Sequence, residues 1–132
     1  MNKPKFAIAL AVSAVVLASA GVVYARNIAS YDLIVPRFGG TSYTSTLTKV
    51  NTSRAVDSNT SNGGGYSVNT AVYRPSTTRV TPKYALASGS RVLISYNAGK
   101  AIPASGYRLG HTNNMSTVVN VQSRGSWSPD EH

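Results

Sequence analysis

From residue 26 onward, few side chains can move a proton or hold a metal: Asp32, Asp57, His111, Asp130, Glu131 and His132. General acid–base work needs two titratable groups held in opposition with their pKa values pushed apart. Asp130, Glu131 and His132 stand together at a chain end, where fraying is expected. Asp57 falls in a Ser/Asn-rich stretch, 57–65, that reads as a mobile hairpin loop, and Asp32 sits beside the start of a short apolar alternation. A hydrolase would have to assemble His111, Asp32 and a serine, and no Gly-x-Ser-x-Gly elbow supports that triad. Zinc needs three or four Cys, His or carboxylate ligands. The chain has no cysteine, and its two histidines lie 21 positions apart. Calcium would find only Asp130 and Glu131 with nearby loop carbonyls. The expectation is a protein without a catalytic set, a metal site or a cofactor.

Charge and aromatic rings are better supplied. The chain carries 13 Lys and Arg against 4 Asp and Glu, a formal net charge of +9, which becomes +7 without Lys3 and Lys5. Such a balance attracts polyanions at long range and raises encounter rates. It equally well serves solubility alone. Arg74, Arg79, Lys83, Arg91 and Arg108 fall in loops or on polar strand faces and are the candidate polyanion-binding residues. Seven tyrosines follow residue 25. Tyr66, Tyr96 and Tyr107 fall on apolar strand faces and read as core, whereas Tyr43 and Tyr73 are the candidate surface rings for stacking beside arginine. No pattern for specific nucleic-acid recognition is present.

The elements that must position these groups read as strands. Residues 26–132 are rich in Thr, Ser, Val, Tyr and Asn and are broken by Gly or Pro about every ten residues. Residues 66–73 alternate most cleanly and 91–96 nearly as well; 31–35, 43–50, 78–81 with 84–86, 107–109 and 117–123 are weaker. Asn, Gly and Pro clusters separate them, and no helical period is visible after residue 25. The pattern predicts an all-β fold, an antiparallel β-sandwich of about seven short strands, forming a single domain over residues 26–132.

Residues 1–25 predict a signal peptide helix. A short basic start with Lys3 and Lys5 is followed by an apolar run and by two small-x-small sites, with cleavage expected after Ala25 or, alternatively, Ala20. Retention of the same segment as a membrane anchor is the competing expectation. Without cysteine, neither a disulfide framework nor a lipoprotein anchor is available. An exported chain of this kind fits a Gram-positive source.

The leader, Ser45-Thr46-Leu47-Thr48-Lys49, the segment Gly106-Tyr107-Arg108-Leu109-Gly110 with Asn113-Asn114, and the ending Gly125-Ser126-Trp127-Ser128-Pro129-Asp130 together resemble a family of small secreted proteins of unknown function from Gram-positive bacteria. That resemblance implies a secreted β-sandwich with no established activity. The strong positive charge is a departure from what the resemblance supplies. Three functions are consistent with these readings. The leading one is a secreted, noncatalytic basic domain, loosely wall-associated, that binds anionic cell-surface polymer or membrane. The others are a bacteriocin-like antagonist and a small secreted hydrolase, the last requiring His111, an acid and a serine in one cleft.

Overall fold

Inward-facing positions at every second residue define the strands of the computed structural model, which describes residues 25–132. The predicted leader, its helix and the competing anchor lie in residues outside the described ones, apart from Ala25, which is exposed. Nine strands follow in order: β1 (Ala29–Val35), β2 (Thr41–Tyr43), β3 (Leu47–Thr48), β4 (Ala55–Asn62), β5 (Val68–Tyr73), β6 (Tyr84–Leu86), β7 (Arg91–Ile94), β8 (Gly106–Thr112) and β9 (Val121–Ser128). They pair into two antiparallel sheets, one ordered β1-β9-β4-β7 and the other β2-β8-β5-β6, with β3 also on β8. The all-β, sandwich-like fold is therefore as expected. No helix among the described residues is long and apolar enough to cross a membrane.

The core fills the space between the sheets. Tyr31, Leu33 and Val35 of β1, Val121 and Trp127 of β9, Ala55 of β4 and Ile94 of β7 meet Val68 and Val72 of β5, Leu86 of β6, and Tyr107 and Leu109 of β8. On β1 these residues alternate with the exposed Asp32 and Ile34, because successive strand residues point to opposite faces, whereas β5 and β8 are covered on most of both faces. All of these elements lie between residues 26 and 132, so a chain beginning at Arg26 keeps the whole core.

Four local expectations are corrected. The stretch 57–65 is no mobile loop: most of it is β4, hydrogen-bonded between β9 and β7, ending in a single 3₁₀ turn, Gly63–Gly65. The run 43–50 splits in two, because the Thr44 hydroxyl takes the Leu109 N–H at 3.0 Å while Thr44 N–H donates to Leu109 O at 2.9 Å. A side-chain acceptor thus replaces a ladder carbonyl, and pairing resumes only at Leu47. Residues 117–120 are loop, and β9 begins at Val121. Tyr66 precedes β5 and is exposed rather than core.

Candidate functional site

The outer face of the second sheet collects most of the predicted site. On β8, Tyr107, Leu109 and His111 point inward, so Arg108, Gly110 and Thr112 point out. On β5, Tyr73 stands opposite Arg108, and Ala71 opposite Gly110; on β2, Tyr43 stands opposite Gly110 from the other side. Gly110 has no side chain, so the Tyr43 and Tyr73 rings close over it and meet edge to face at 5.1 Å and 90°. A Cβ at residue 110 would lie 2.5 Å from the Tyr73 ring. The Arg108 guanidinium sits 4.6 Å from the Tyr43 ring centroid, a cation–π contact that holds it flat on the face.

A tight turn after β5 adds two more cations. Arg74 N–H donates to Thr78 O at 2.9 Å and Thr77 N–H to Arg74 O at 2.7 Å, with Thr77 at a φ of 67°. This turn returns the chain so that Arg79 bridges Tyr73. The Arg79 side chain is exposed and donates to Thr81 O at 3.1 Å. Arg74 lies at the same end of the sheet with its guanidinium 4.9 Å over the Tyr107 ring. Lys83 is exposed just ahead of β6, the strand that pairs with β5.

Arg74, Arg79, Lys83 and Arg108 thus lie on or beside one sheet, although the Arg74 guanidinium turns onto the inward-facing Tyr107 and not onto the outer face. Arg91 lies elsewhere: it opens β7, pairs with Ser58 in the first sheet, and acts on Glu131. Tyr43 is half-buried under Arg108, and Tyr73 is only 6% exposed beneath its neighbours. Its reading as a surface ring is corrected accordingly. Burial pushes the Tyr73 phenol up, and nearby Arg79 opposes that rise. The rings serve as a platform that orients arginine rather than as free stacking surfaces.

The acidic residues and His111 have a different arrangement from the one their spacing suggested. His111 is fully buried, and its Nε2 lies 2.7 Å from Asp57 Oδ2. Asp57, also fully buried, accepts further hydrogen bonds from Tyr31 Oη at 2.6 Å and Thr70 Oγ1 at 2.8 Å. Asn59 Nδ2 donates to Tyr31 Oη, Asn62 Oδ1 and Ser123 Oγ, extending the network across β1, β4 and β9. Burial, the Asp57 charge and the hydrogen bond to it together drive the Tyr31 phenol far above its ordinary range. These polar groups join the two sheets at their centre. Asp32, the acid first matched to His111, instead projects outward from β1 and pairs with Arg124 at 3.4 Å. The proposed triad is therefore not assembled, and the acid that does meet His111 lies in a sealed interior. Only a buried-strand reading of residues 55–62 would have exposed this pair, and its inward residues are polar.

The chain end is likewise stitched down rather than frayed. Lys49 Nζ lies 2.8 Å from Asp130 Oδ1, both side chains sealed from solvent, and also donates to Pro129 O at 2.8 Å. The Asp130 carboxylate takes Val50 N–H and Asn51 N–H as well, so its oxygens are occupied by the protein. Burial pushes the Lys49 ammonium down, and the hydrogen bond and charge of Asp130 draw it back. Glu131 pairs with Arg54 at 3.0 Å, and that contact lowers its carboxyl.

No protein-family model and no curated protein matches the chain. Among solved structures, a crystal structure of PirA is similar to it over 80% of this chain and 97% of that one. The two are 14% identical, with a TM-score of 0.46.

Proposed function

We propose that this domain works outside the cell as a noncatalytic module that associates with anionic surface polymer or membrane. One observation carries the reading: folding withdraws negative charge from the surface and leaves the positive charge there. Asp57 and Asp130 are fully buried, while Asp32 and Glu131 each face an arginine. Of the eleven Lys and Arg from residue 26 onward, only Lys49 is buried. The exterior is thus more uniformly basic than the composition alone requires, which favours long-range capture of polyanions. Arg108 on β8, together with Arg74, Arg79 and Lys83 in the adjoining β5–β6 connection, is assigned to contact. Exposed charge pairs are screened within roughly 8–10 Å at moderate salt, so this association is salt-sensitive.

The test is a pull-down of residues 26–132 on isolated Gram-positive walls, with and without their teichoic acid, across a salt series. Binding is expected at low salt and is expected to vanish when the teichoic acid is stripped. The double reversal Arg79→Glu, Lys83→Glu should weaken it by about tenfold, whereas Arg91→Glu on the other sheet should change it little. Absence of binding at low salt would reject the reading and bring the antagonist function forward, to be scored by inhibition zones on related strains.

A further inference from the structure

At one end of the sandwich, the loop after β1 (residues 36–40) lies against the loop after β8 (residues 113–120). Together they expose four large apolar side chains: Phe38 at 54%, Met115 at 76%, Val118 at 61% and Val119 at 40%. Ile34, on the outer face of β1 two residues before the loop begins, is also exposed. We propose that this end inserts into the interface of an anionic lipid bilayer. The inference rests on the reading above that the domain meets an anionic surface, names that surface as membrane, and places the insertion at the end of the sheet opposite Arg74, Arg79 and Arg108.

Three features of the loops favour that occupant. The first is charge: across both loops Arg37 is the sole charged side chain, and its guanidinium lies 5.4 Å over the Phe38 ring. A cation stacked on an aromatic ring, with no carboxylate nearby in either loop, suits an anionic headgroup layer above an apolar one. The remaining exposed side chains of residues 113–120 are neutral Asn and Ser.

The second is hydrogen bonding. Backbone polar groups left unsatisfied are costly in a lipid environment, and here several of them are met by bonds between the two loops, although the buried Asn113 Oδ1 has no partner among the described residues. Phe38 N–H donates to Thr117 O at 2.9 Å, and Arg37 N–H to Asn120 Oδ1 at 3.0 Å. Buried Asn113 donates through Nδ2 to Val35 O at 3.1 Å and Pro36 O at 3.0 Å.

The third is backbone conformation. Phe38 has a φ of 58°, in the left-handed region that disfavours any residue with a Cβ. Gly39 follows with a φ of 77°, and its missing side chain makes room for the Met115 sulfur. A glycine at 38 would relieve the conformation. A phenylalanine there, held outward by a fixed loop, is explained by what its ring does outside the fold.

The experiment uses residues 26–132 and vesicles of phosphatidylcholine, alone or mixed equally with phosphatidylglycerol. A Phe38→Trp variant places a reporter at the tip, while Trp127, 1% exposed, gives a constant background. Its emission should shift to the blue on the mixed vesicles. The double variant Phe38→Gly, Val118→Ser should lower vesicle partition by about tenfold or more while binding teichoic-acid-bearing walls as before. Because glycine accepts the left-handed conformation, this variant should stay folded. Vesicle binding without a blue shift, or unchanged partition of the double variant, would overturn insertion and leave the polyanion reading intact. Binding to walls without binding to vesicles would do the same. Failure to bind either would remove both proposals.

Discussion

Lys49 and Asp130 show what a buried charge pair does in this fold. Desolvating both ions costs several kcal/mol each, and their attraction offsets that only when the remaining hydrogen bonds are also made. Here they are made, by the Pro129 carbonyl to the ammonium and by the Val50 and Asn51 amides to the carboxylate. Asp130→Ala is expected to destabilise by about 3–5 kcal/mol because it strands the ammonium. The double replacement Lys49→Met, Asp130→Leu should lose far less. Urea unfolding of the wild type, Lys49→Met, Asp130→Leu and their combination measures the coupling in a double-mutant cycle, and a value near zero would contradict this account. In the sequence, Asp130 is one of three polar residues ending the chain, and nothing local marks its partner 81 positions away. Asp57 and His111 are hidden for the same reason. Each meets its partner only through strand pairing, and residue type alone favours the surface for all four.

At the scale of strands, glycine placement decides which side chains can reach across a sheet. Gly125 lies on β9, with Tyr31 of β1 opposite on one side and Asn59 of β4 on the other. Without a Cβ there, the Tyr31 phenol crosses β9 to reach Asp57 on β4. An added Cβ would stand 2.7 Å from Tyr31 Oη and 2.9 Å from Asn59 Cα, with the Ser58 carbonyl oxygen closer still. Paired backbone cannot retreat as a flexible side chain can. Gly125→Ala is therefore expected to destabilise by about 3 kcal/mol or more, read by Trp127 fluorescence during denaturation; a loss within error of zero would mean that β9 shifts freely. The strands were legible where inward residues are apolar, as in β1 and β5. They were illegible in β4, whose inward positions include Asp57, Asn59 and Asn62, so that a strand inside the first sheet resembles a loop. A register shift between Asn59 and Ser61 further breaks its alternation. The candidate basic face was legible as a set of residues, and Arg91 was misplaced because sequence does not say which sheet a strand joins.

Across the whole molecule, buried phenols tie stability to alkaline pH. Tyr31, Tyr73 and Tyr96 all lie above the ordinary phenol value of 10.0, chiefly through burial, with Asp57 adding to the rise at Tyr31 and Asp130 at Tyr96. Below about pH 10 these phenols keep their protons in both folded and unfolded chains, and their contribution is constant. Above it the unfolded phenols ionise while the folded ones hold on. The folded state then binds more protons, and stability falls as pH rises. Lys49 acts in the opposite sense, since its lowered value makes the folded state release a proton first. That gain is complete near the ordinary lysine value of 10.5, beyond which only the phenols contribute. Stability measured in urea should therefore drop between about pH 10.5 and 11.5, and phenolate absorbance should show three tyrosines ionising only as the fold is lost. A flat profile, or seven phenols titrating together before unfolding, would mean that these rings are not held between the sheets as described.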